Sequence, residues 1–153
     1  MQTIRETETK TETVLDRGQA TTSWRDVRRV GLAAAGLAAV TWVLASQVAG
    51  VDLVVGAGAS RQHVGVASVV VTALVTAYAG GGLLRVLERR TPQARRTWTV
   101  VAVLVLVVSL AGPLGAVTPA AGLVLGAMHL EVGAVVVLGL RRRAASERAG
   151  RVA

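Results

Sequence analysis

Four stretches of this chain carry almost no charge, and each is close to the roughly 20 residues a helix needs to cross a ~30 Å hydrocarbon core. They run about Val30–Ala49, Val64–Leu84, Thr97–Leu114 and Pro119–Leu140, the third being the shortest. Charges crowd into the short segments between them. A soluble helical domain would intersperse charges along its helices, so this segregation marks a membrane protein. The expected fold class is an all-α membrane protein, a bundle of four transmembrane helices.

Local signals support the helix ends. Ser23-Trp24-Arg25-Asp26 reads as a helix start, with Ser23 as N-cap and Asp26 at the third helical position. Thr118-Pro119 reads as a second start, because Pro at the first helical position loses no hydrogen bond. Gly112-Pro113 is expected to close the third helix. The segment before Ser23, rich in Thr and Glu, is too polar to bury a core and reads as a disordered tail. Residues 144–153 read as a basic tail.

The basic residues set the expected orientation. Arg25, Arg28 and Arg29 precede the first helix, and Arg85, Arg89, Arg90, Arg95 and Arg96 fill the connection between the second and third. Arg141, Arg142, Arg143, Arg148 and Arg151 follow the fourth. The other two connections hold only Arg61. Basic residues stay cytoplasmic, so both termini are expected inside the plasma membrane. Trp24 and Trp98 are expected as anchors at that boundary. The net charge of +8 does not imply nucleic acid, because the arginines sit at the ends of apolar segments. The cluster Arg85 to Arg96 also suits anionic lipid headgroups. Arg28-Arg29-Val30-Gly31-Leu32 loosely resembles a twin-arginine signal, but the segment is long and has no clear small-x-small site before a mature domain, and the first helix is expected to be retained.

The connection between the first two helices has turn chemistry. Asp52 to Val55 and Arg61 to Val64 flank Gly56-Ala57-Gly58-Ala59-Ser60, a pattern for a short β-hairpin. Such a hairpin is marginal alone and needs packing support.

Chemistry is sparse. There is no cysteine, which excludes disulfides and thiolate sites. No cofactor, metal or nucleophile set is expected. Gly80-Gly81-Gly82 lacks a phosphate-loop context and suits close packing or a hinge. Two ionisable groups lie mid-membrane, His129 and Glu131. A charge at that depth costs on the order of 3 kcal/mol, so such groups are functional candidates. A protonated carboxyl, a polar partner on a neighbouring helix or a water-filled cavity would relieve Glu131. Residues two apart point about 200° apart, so the pair cannot share one ligand. Gly122, Gly126, His129 and Gly133 fall on one stripe, which suits close approach of another helix and places His129 in a tight helix contact. Glu131 faces the other way. The available polar partners are Thr41, Ser46 and Gln47, the stripe Ser68–Thr72–Thr76, Tyr78 and Ser109.

Several landmarks resemble a family. Leu87-Glu88-Arg89-Arg90-Thr91, Ala94-Arg95-Arg96-Thr97-Trp98, Ser109 to Leu114, Met128-His129-Leu130 and the Gly50-Val51-Asp52-Leu53 segment are similar to those of a small actinobacterial four-helix membrane family of unknown function. The resemblance covers about Arg28 to Leu140. It implies the architecture and no activity. The residues after Met128-His129-Leu130 are apolar in that pattern, so Glu131 is a departure from it.

The leading functional expectation is a non-enzymatic membrane protein acting by helix packing, with the bilayer, a second copy or a membrane partner. The alternative is a small proton-coupled transporter or carrier using Glu131 or His129. A membrane enzyme is the third and weakest reading.

Overall fold

The computed structural model describes residues 22–149, with side chains through Arg141. The expectations for the N-terminal tail lie outside the described residues. Four helices dominate: α1 Trp24–Val43, α2 Val66–Arg90, α3 Ala94–Ser109 and α4 Pro119–Ala149. With their irregular extensions all four are long and apolar enough to cross a membrane, over Trp24–Val48, Val66–Arg90, Ala94–Gly115 and Pro119–Arg141. The chain is a multi-pass membrane protein.

Each helix lies beside its neighbours in the chain, and α4 returns to pack against α1. The ring order α1-α2-α3-α4 follows from short connections. α1 is the most enclosed, and it can be because its inward face is small: Gly31, Ala34, Ala35 and Ala38 are all buried. Small side chains let backbones approach where lipid gives no hydrophobic drive between helices. α3 is the least enclosed, and Val103, Leu104, Val107 and Val108 are exposed along it. Such a surface is suited to lipid.

The expected starts are present. The Ser23 hydroxyl oxygen accepts from the Asp26 N–H at 3.2 Å, and that of Thr118 accepts from the Ala121 N–H at 3.2 Å. Other bounds differ from the sequence reading. α2 runs six residues past Leu84 to Arg90. α3 stops at Ser109, before Gly112-Pro113, and a 3-10 turn over Pro113–Gly115 follows. The backbone of α4 continues as helix to Ala149, through most of the segment read as a tail. After Val43, α1 widens into a π turn over Leu44–Val48.

The hairpin is real. β1 Val54–Val55 pairs antiparallel with β2 Gln62–His63, in register Val54 with His63 and Val55 with Gln62. Gly56 has φ +94°, and a Cβ there would run into the Ser60 carbonyl, so the turn needs glycine. The support comes from the α3–α4 turn. The Gly56 N–H donates to Gly115 O and the Val117 N–H donates to Val54 O, each at 3.0 Å. Below, Leu53 is buried with Ala38, Ala121, Leu125 and Met128. The other end of the bundle is filled by Val27, Val30, Leu84, Trp98, Val136 and Leu140. The described arginine side chains cluster at that end, with Arg61 alone on the hairpin.

Candidate functional site

Glu131 sits on the side of α4 that faces α1, half-buried. Its Oε2 accepts a hydrogen bond from the Thr41 hydroxyl at 3.0 Å. Thr41 lies at the last regular turn of α1, just before the π turn. The neighbouring residue holds that turn in place: the Trp42 indole N–H donates to Val64 O at 2.7 Å, tying α1 to the entry of α2. π turns recur at functional sites, because they offset side chains from the regular helical register. Oε1 of Glu131 is buried and has no hydrogen-bond partner among the described residues. Native structures leave few such atoms, so each one calls for an explanation.

His129 takes a different course. Its Nδ1 lies 2.8 Å from Leu125 O on its own helix. A carbonyl only accepts, so Nδ1 carries the hydrogen of that bond. The sequence pattern suggested a bond across a tight helix contact; the side chain turns back along α4 instead. His129 and Glu131 remain on different faces.

The three stripe glycines have three different surroundings. A Cβ at Gly133 would come within 2.7 Å of Leu106 Cδ1 on α3. One at Gly122 would meet Pro113 O at 3.3 Å. One at Gly126 would meet nothing within 4 Å, so no described element closes on it.

Ser68, Thr72 and Thr76 do not reach the interior. All three are exposed, and the Ser68 hydroxyl donates to Gly65 O at 2.6 Å. The inward face of α2 is Ala73, Ala77 and Gly81, against which α1 closes; a Cβ at Gly81 would come within 2.5 Å of Val27 Cγ2. The Ser109 hydroxyl donates back to Leu106 O at 2.7 Å.

At the arginine end Trp24 is exposed, with Arg85 stacked on it at 4.8 Å and Tyr78 at 6.4 Å between ring centroids. Arg89, Arg90 and Arg96 are exposed and Arg95 is half-buried. Trp98 corrects the sequence reading. It is 1% exposed, inside the bundle, and its indole N–H donates to Gly80 O at 2.8 Å. Glu88, named only as part of a family landmark, was not foreseen as a buried partner of another helix. It is 7% exposed and accepts from Thr22 twice, from the N–H to Oε2 and from the hydroxyl to Oε1, each at 2.8 Å.

Among the described residues, no three His, Cys, Asp or Glu side chains come together as a metal site. What the bundle offers instead is one carboxyl between two helices with half of its hydrogen-bonding unmet. Residues 18–146 match a family of unknown function, DUF6069, and the chain belongs to that family. Comparison with curated proteins and with solved structures finds no match.

Proposed function

We propose that this protein is a non-enzymatic subunit of the plasma membrane, with both termini cytoplasmic, that works by packing against another membrane helix. The observation that carries the reading is the gap at Gly126. The stripe on α4 is closed by the chain itself at Gly122 and Gly133 and left open between them. An open glycine flanked by closed ones admits a helix backbone from a second copy or a partner subunit. The clustering of arginines at one end supports the orientation, and the Arg85–Trp24–Tyr78 stack suits the anionic headgroups of that leaflet.

The test is Gly126→Leu. A Cβ at this position meets nothing within 4 Å among the described residues, so the monomer is expected to fold and melt as before. Its association is expected to fall, measured as co-purification from native membranes and as oligomer mass in detergent. Unchanged association would overturn the reading.

A second reading, a proton-coupled carrier, is favoured by the unmet Oε1 of Glu131. Reconstituted protein would then show pH-dependent flux that Glu131→Gln abolishes. His129→Ala separates the two residues: flux that survives it assigns the coupling to Glu131 alone.

A further inference from the structure

The four spans contain almost nothing that can balance Glu131. No Asp, Glu, Lys, Arg or His occurs in residues 30–51, 64–84 or 97–118. Within residues 119–140 the only such groups are His129 and Glu131 themselves. His129 projects about 200° away around α4, and its Nδ1 is committed to Leu125 O. Tyr78 lies beside Trp24 at the arginine end. The hairpin residues Asp52 and His63 are exposed. Among the described residues, no positive side chain therefore faces the Glu131 carboxyl from α1, α2, α3 or α4.

The hydrogen-bond inventory is incomplete in the same direction. The Thr41 hydroxyl has one hydrogen, and it goes to Oε2. Oε1 is enclosed and receives nothing. Glu131 is nine residues from Leu140 and twelve from Pro119, about 14 Å and 18 Å along the helix, so neither end brings it near a headgroup. A carboxylate at this depth calls for a positive partner, and the described residues supply none.

We infer that Glu131 and Thr41 form an intramembrane binding site for one monovalent cation, a proton or a partly hydrated alkali ion. With a proton, Oε1 gains one O–H bond and the group becomes a neutral carboxylic acid. With an alkali ion, the two carboxylate oxygens and Thr41 Oγ1 supply three of the ligands, and water kept by the ion supplies the rest. No other bond changes in either case. The site requires binding only; a carrier would need it, but it stands without transport and without association.

The experiment labels full-length protein in liposomes with dicyclohexylcarbodiimide, an apolar reagent that attaches to carboxyls carrying their proton. Peptide mass spectrometry reads the adduct on the segment containing Glu131. The expected result is one adduct there, absent in Glu131→Gln. If the ion is a proton, the yield falls about tenfold per pH unit above the midpoint of the site and is the same in sodium and choline salts. If it is an alkali ion, sodium protects at fixed pH and ionic strength and choline does not. Thr41→Val, which removes one ligand and leaves the carboxyl, is expected to shift the midpoint or the protecting sodium concentration at least threefold. No adduct at any pH overturns the inference, and so does a yield insensitive to both pH and sodium. An adduct without measurable flux would sink the carrier reading and leave the site standing.

Discussion

Glu88, buried, and Glu131, half-buried, each meet a threonine at an end of α1, and they differ in how completely they are satisfied. Glu88 has a donor for each oxygen, the N–H and the hydroxyl of Thr22. It also lies at the N-terminus of α1, where the helix dipole favours negative charge. Glu131 has one donor for two oxygens, and it lies deep in a span. A carboxyl whose partners are all present is a structural clasp between two helices. One whose partners are half missing costs stability in the resting fold and is free to bind something else. Burial alone would have ranked Glu88 as the more suspicious of the two; the hydrogen-bond inventory reverses the order.

Substitution should separate the two roles. Glu88→Ala strands both Thr22 donors in a buried position and should destabilise the bundle by about 3 kcal/mol, read as a lower midpoint for denaturant unfolding in detergent. Glu88→Gln should cost about 1 kcal/mol, because the amide oxygen accepts the N–H and the Thr22 hydroxyl can rotate to accept from the amide. Thr41→Val deletes a single hydrogen bond and should cost less, about 0.5 kcal/mol, since it also removes a polar group from the span. Glu131→Gln should be smallest, within about 0.5 kcal/mol of wild type, because it removes a carboxyl that the fold does not fully use. A loss at Glu131 as large as that at Glu88 would erase the distinction and make both of them clasps.

Much of the fold was legible because it is written locally. The four apolar stretches, the Ser23 and Thr118 caps and the hairpin turn each depend on a few adjacent residues. The ends of helices were less legible. Ending the second helix at Leu84 hid Glu88 among headgroup arginines, although Ala73, Ala77, Gly81, Leu84 and Glu88 continue one inward stripe at three- and four-residue spacing. Extending that stripe by one turn would have found it. Trp98 was misplaced for a related reason: Ala94 and Trp98, four apart, are the buried pair of α3, and an indole can enter the bundle when a carbonyl such as Gly80 O is there to accept its N–H. The hydroxyl stripe on α2, offered as a source of polar partners, faces outward. The approach of α1 is governed by size, and alanine and glycine take that side. The pairing of Glu131 with Thr41 was among the partners the sequence offered, but no local pattern selects it, since it depends on how far α1 and α4 slide past each other.

The hydrogen bonds between the hairpin and the α3–α4 turn carry a consequence for the chain's covalent continuity. Residues 24–90 and 94–141 form two helical pairs, and at the hairpin end they are stitched by main-chain bonds that no side-chain change can delete. Tight seams such as Val30 against Gly139 and Trp98 against Gly80 join the same two halves farther along. The α2–α3 connection is therefore dispensable for holding them together. A break in the backbone there should yield two fragments that find each other again when made separately in one membrane.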